Sequence, residues 1–160
     1  MYGKVCVLLT AAAMTLGGAG DAALDRATLR GLKGIHVVLD PVAPELEKEG
    51  ASADALRGYL EKRLREGGVP IDAASTEFVA LRLTSVRAAR GPFAVAMIIG
   101  LYQPVSLVRE PKIKTATQTW EVDTVVLAEP KQVYQACMDS VDDLAGRFAT
   151  AYHSMNKTTP

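Results

Sequence analysis

From residue 34 onward, apolar positions alternate between strand-like and helix-like spacing. Gly34–Leu39 is a short β-branched run stopped by Asp40-Pro41, which reads as a first strand. Pro41–Gly50 carries two prolines and three glutamates and reads as a loop. Ser52 is a suitable N-cap for a helix over Ala53–Glu66, with Asp54 in the first turn. Leu56, Leu60 and Leu64 recur every four residues with Tyr59 beside them, and Gly67-Gly68 closes the element. A short strand is expected at Pro70–Ala73.

Three longer strands follow. Val79, Leu81 and Leu83 share a face in Glu77–Val86, and the odd positions Phe93, Val95, Met97, Ile99, Leu101, Val105 and Leu107 do so in Phe93–Val108. In Ile113–Leu127 the parity switches: Trp120, Val122 and Val126 are even, whereas Thr115, Thr117, Thr119, Glu121 and Asp123 are odd. Antiparallel neighbours share a face only if directly paired residues do. A turn at Glu110-Pro111-Lys112-Ile113 meets that condition, placing Leu101 opposite Val122, Gln103 opposite Trp120 and Ile98 opposite Val125. The connection Arg87–Pro92 must hold an odd number of unpaired residues to keep Leu81 and Leu83 on the core side.

The last element is a helix over Pro130–Met155, with proline at its first position. Val133, Cys137, Val141, Leu144, Phe148 and Tyr152 form its single apolar stripe. Asn156–Pro160 reads as a frayed tail. The order β-α-β-β-β-β-α predicts one α+β domain over residues 23–155: a two-layer sandwich whose mostly antiparallel sheet of four to five strands carries two helices on one face.

Met1–Ala22 reads as a cleavable signal peptide. Lys4 is a positive start, Val5–Leu16 is apolar or small, and Gly17–Ala22 offers cleavage after Gly20 or Ala22. The apolar run is shorter than the roughly 20 residues of a bilayer span, leaving an uncleaved anchor as the alternative. Lys4 so close to Cys6 argues against lipidation. An exported protein, periplasmic or secreted, is the resulting expectation, and it would retain only Cys137, which cannot form an internal disulfide.

The 160 residues carry 18 basic and 18 acidic side chains, and removing the leader with Lys4 and Asp21 leaves 17 of each. That balance lacks the footprint of a nucleic-acid binder or a polybasic membrane anchor. No motif points to a cofactor, a metal or a nucleophile. Gly17-Gly18-Ala19-Gly20 lacks the strand and lysine of a phosphate loop. Asp139, Asp142 and Asp143 fall on the polar side of the last helix, and the lone Cys137 on its apolar side.

Of the two histidines, His36 is expected as a hydrogen-bonded sheet residue opposite in face to Ile35 and Val37, and His153 as a solvated residue near a helix end. A small secreted enzyme using either one is the alternative. Arg87 and Arg90 make one basic turn, and Arg109, Lys112 and Lys114 another at the opposite end of the sheet; both read as solvated hairpin tips. Asn156-Lys157-Thr158 matches a glycosylation acceptor.

One surface stands above this background. Phe78, Ile98, Tyr102, Val125 and Leu127 fall on the outer side of the sheet, as a candidate contact with a protein or envelope component. The lead-in Ala23–Lys33 is the expected cover for that patch, and a partner is the alternative.

In order and spacing, the elements Gly34–Leu39, Ala53–Glu66, Pro70–Ala73, the long strands and the closing helix resemble the lipopolysaccharide-assembly lipoprotein of the bacterial outer membrane. The N-terminal domain of the Tol-system translocation protein is similar over the first strand–helix–strand unit. The lipoprotein family carries a lipidated cysteine at its mature N-terminus, and this chain has none at the equivalent place. The resemblance implies a non-enzymatic periplasmic accessory.

Overall fold

The computed structural model describes residues 20–156 apart from Ala88. Most of the expected leader, including Cys6, and the tail beyond Asn156 lie outside the described residues. The described chain forms α1 (Ala23–Ala27), β1 (His36–Leu39), α2 (Pro44–Lys48), α3 (Ala53–Glu66), β2 (Phe78–Arg87), β3 (Phe93–Leu107), β4 (Glu110–Ala128) and α4 (Pro130–Met155). The four strands make one sheet in the order β1-β2-β3-β4, with β1 parallel to β2 and the other pairs antiparallel. This is the expected α+β sandwich, with α3 and α4 on one face.

Side-chain spacing explains both long helices. Ser52 caps α3 by accepting the Ala55 N–H at 3.3 Å, and Leu56, Leu60 and Leu64 are fully buried. Gly68 follows at φ 75°, a left-handed conformation that favours glycine. The α4 stripe Val133, Cys137, Val141, Leu144 and Phe148 is wholly buried against the odd face of β3 and against Trp120 and Val122 of β4. Trp120 and Phe148 meet edge to face with ring centres 5.0 Å apart.

Arg87 pairs with Phe93, so five residues separate β2 from β3, an odd number that keeps Leu81 opposite Ile99 on the core side. The β3–β4 hairpin departs from expectation. Its turn is Val108-Arg109, with Leu107 paired to Glu110, and a register shift carries Pro111–Ile113 past before Ser106 pairs with Lys114. Pro111 therefore lies where no ladder hydrogen bond is needed. A second shift leaves Thr119 between the Leu101–Trp120 and Tyr102–Gln118 pairs. Val125 consequently faces Ala96 and Ile98 faces Asp123. Between Phe93 and Leu101 the slip from the expected pairing is two residues, which preserves the faces. Beyond Thr119 it is three, so Gln103 pairs with Thr117 rather than Trp120, and Gln118 in place of the threonines shares the face of Tyr102.

Other segments also differ. Pro70–Ala73 is no strand: only Ile71 bridges Ile35, because Pro70 has no N–H and the Asp72 side chain takes the Ala74 N–H at 2.9 Å, turning the chain away. The Pro41–Gly50 loop contains α2, begun by Pro44 and anchored by buried Leu46.

The lead-in contains α1 and does not cover the outer sheet face. Leu29 and Leu32 are buried in the helix-side core, the Tyr152 hydroxyl donates to the Leu32 carbonyl at 3.3 Å, and Asn156 donates to the Leu29 carbonyl at 2.8 Å. Two apolar side chains spaced three apart carry the segment inward. Just before α1, the Trp120 indole N–H donates to Asp21 at 2.8 Å, and Arg26 pairs with the same carboxylate.

Candidate binding face

Strand pairing arranges the outer face of the sheet in transverse rows. His36, Phe78, Tyr102 and Gln118 form the first, across all four strands. Val38, Ala80, Gly100 and Glu121 form the second, and Arg82, Ile98 and Asp123 the third. Thr84, Ala96 and Val125 come next, then Val86, Ala94 and Leu127. Among the described residues no element lies over these rows.

One end is aromatic and polar. The Phe78 ring stacks on Tyr102 at 5.0 Å and 3°, and His36 tilts against Phe78 at 5.2 Å. The Tyr102 hydroxyl donates to the Gln118 side-chain oxygen at 2.7 Å, Arg82 donates to that oxygen at 3.0 Å, and Gln118 donates onward to Glu121. Gln118 reaches this position because Gly100 beneath it has no side chain: a Cβ there would sit 2.9 Å from the Gln118 amide carbon. Among the described residues the buried Arg82 Nε has no partner.

The other end is apolar and open. Val125 is 65%, Val86 67% and Leu127 75% exposed, with only Ala94 and Ala96 between them on the central strand. Ile98 is half-buried and flanked by Arg82 and Asp123, which places it at the border of the two ends. All five expected contact residues thus share one face: Phe78 and Tyr102 at the polar end, Val125 and Leu127 at the apolar end, Ile98 between. Val86, Arg82, Gln118 and Glu121 were missed. Parity on β2 and a glycine at mid-strand were the available signs.

The histidines lie apart. His36 Nδ1 is 2.8 Å from the Ser75 carbonyl oxygen, and His153 Nε2 is 2.6 Å from the Gly67 carbonyl oxygen at the end of α3, so His153 binds a neighbouring helix terminus rather than only water. His36 and Glu61 line one concavity of about 370 Å³ beside the free edge of β1, together with Arg57, Arg65 and Ile71. Within it Glu61 accepts from Arg65 at 3.1 Å.

The acidic run of α4 is paired or bonded. Asp142 meets Arg63, Asp143 lies 3.7 Å from Arg147, and Asp139 accepts from Gln135 at 2.7 Å. Among the described residues no group of three or more His, Cys, Asp or Glu is placed to hold a metal ion. Burial pushes the Cys137 thiol up to about 11. No helix of the described residues is long and apolar enough to cross a membrane.

No protein-family model matches the chain, and the curated proteins contain no match. Two solved structures are similar at low scores. One is a dodecamer of a PelC variant from Paraburkholderia phytofirmans, at a TM-score of 0.44 and 12% identity, with 82% of this chain and 93% of that chain covered. The other is a minor lipoprotein from Acinetobacter baumannii, at a TM-score of 0.33 and 12% identity, with 76% and 93% covered. The likeness is coarse at these scores, and neither family membership nor function follows from it.

Proposed function

We propose that this chain is an exported, non-enzymatic binding or envelope-assembly accessory that engages a protein or envelope component through the open face of its sheet. One observation carries the reading: Val86 on β2 and Val125 and Leu127 on β4 stand exposed across the small side chains of Ala94 and Ala96, on a face over which no described element lies. Clustered exposed side chains of this kind mark contacts, because covering them removes apolar surface from water at about 25 cal/mol per Å². The polar rows beyond Ile98 supply oriented donors and acceptors that give such a contact direction.

The test replaces Ile98 and Val125 with aspartate, and separately Leu127 with aspartate, then compares crosslinking and co-purification from the native envelope. Loss of a partner that wild-type protein retains, with unchanged far-UV dichroism and Trp120 emission, supports the proposal. Retention of the same partner by both variants refutes it.

A second reading rests on the concavity that gathers His36 with Glu61: a small secreted enzyme using His36. The engagement of His36 Nδ1 by Ser75 and of Glu61 by Arg65 supports the binding reading over it.

A further inference from the structure

The β3–β4 hairpin outruns the rest of the sheet. The last pair linking β2 to β3 is Phe78–Tyr102, so Gln103–Leu107 and Glu110–Thr117 continue as a two-stranded arm. Gln103 still touches the body, donating to Glu77 at 3.1 Å. Beyond it, Pro104–Leu107 projects roughly 13 Å at about 3.3 Å per residue. Every residue from Val108 to Thr117 is exposed.

Three observations on this arm point the same way. Its apex is apolar: Val108 is 98% exposed, and Ile113 is 48% exposed. Arg109, Lys112 and Lys114 surround that apex, opposed only by Glu110, in a chain with no net charge. The two-residue turn is also filled against local preference. Such turns favour Asn-Gly or a leading glycine at positive φ, whereas Val108 and Arg109 both keep negative φ. A valine at the outermost point of a hairpin gains nothing within its own fold. Positions that break a local rule without internal gain are where function is expected.

We propose that this tip docks on an anionic lipid surface, with Val108 entering the interface while Arg109, Lys112 and Lys114 lie among the headgroups. This goes beyond the proposed function, since it uses the opposite end of the sheet from Val86 and Leu127. Charge complementarity selects an anionic occupant. Shape selects a bilayer over an acidic protein: a stable protein interface buries about 800 Å² per partner with matched surfaces, and a narrow convex tip offers neither. A bilayer interface takes an amphipathic tip without shape matching, as it takes an amphipathic helix. Each cation near such a surface is worth about fivefold in partitioning, and salt screens it.

The experiment uses the full chain carrying Val108→Trp, with vesicles of 70:30 phosphatidylcholine:phosphatidylglycerol and of phosphatidylcholine alone. Trp120 is fully buried and supplies a constant background. The new indole is expected to shift to the blue and be quenched by brominated lipid in the anionic vesicles only, and less so at high salt. Adding Lys112→Glu and Lys114→Glu is expected to weaken that response by about 25-fold or more. Because the readout is at residue 108, the apolar N-terminal run cannot mimic it. Unchanged emission, or an equal response to phosphatidylcholine alone, overturns the proposal. A shift produced by soluble polyglutamate and not by vesicles overturns it in favour of an acidic polypeptide.

Discussion

In the chain that retains Asp21, uncleaved or cleaved after Gly20, replacing it with alanine should destabilise the whole domain, although the residue lies before the first helix. Trp120 is fully buried between the sheet and Phe148, and its indole N–H donates to Asp21 at 2.8 Å. A buried donor left without its acceptor costs roughly 1–3 kcal/mol, and hydrogen bonds to charged acceptors lie toward the upper part of the range. Arg26 returns to water when its partner is removed and adds nothing to that figure. About 2 kcal/mol is expected for Asp21→Ala, or about 6–10 °C in Tm for a domain of this size. Asp21→Asn keeps an acceptor for the indole and should lose about half as much.

The pH dependence distinguishes this carboxylate from a packing effect. The Arg26 hydrogen bonds hold Asp21 below its ordinary value of 3.8, opposed by partial burial and assisted by the Trp120 donor. A carboxyl depressed in the folded state adds stability that is complete above its unfolded value and lost as pH falls through the folded one. The gap between wild type and Asp21→Ala should therefore be constant from pH 7 to about pH 5 and narrow below about pH 4. Urea unfolding followed by Trp120, the only tryptophan in the chain, measures it directly. A midpoint unchanged at pH 7, or a gap that grows on acidification, would refute the reasoning.

Two further outcomes follow from close packing. Gly67→Ala should cost about 1–3 kcal/mol even though φ there is −74°, because the new Cβ would lie 2.9 Å from the Ala149 Cβ where α3 meets α4. Adding Ala149→Gly should make the double variant more stable than the sum of the two single losses, as read by urea unfolding; strict additivity would remove the steric explanation. Cys137 should resist a thiol reagent at pH 8 in the native state and react at once in denaturant, since burial raises its pKa to about 11. Mass spectrometry locating native-state label on Cys137 would contradict this.

The parts of this fold that were legible in sequence are those with long, regular periodicity. The six-residue stripe from Val133 to Tyr152 with Pro130 at its start predicted the approximate span of α4, and Ser52 with three leucines did the same for α3. Strand faces were legible because side-chain period is two. Register was not: alternation is unchanged by the slip of two between Phe93 and Leu101, and nothing in the pattern marks Pro111–Ile113 or Thr119 as the places where pairing shifts, so the exchange of faces beyond Thr119 was not legible either. The five-residue helices have too few apolar positions to show a period. Val125 and Leu127 were found from parity alone. The Arg82–Gln118–Glu121 chain was not, because it depends on which strands lie side by side and on Gly100 leaving room between them.

The two ends of the open face differ in what a partner must give up to cover them. At the Tyr102 end, Gln118 already satisfies Arg82, Tyr102 and Glu121 in one connected chain. A partner that broke those bonds would have to replace each in a setting where an unpaired polar group is costly. The buried Arg82 Nε, unpaired among the described residues, is a donor with nothing to lose. At the Leu127 end there are no bonds to break, and covering Val86, Val125 and Leu127 yields a net gain from the first contact. Binding energy should therefore come from the apolar end and orientation from the polar end, with Ile98 at the boundary where a single aspartate disturbs both.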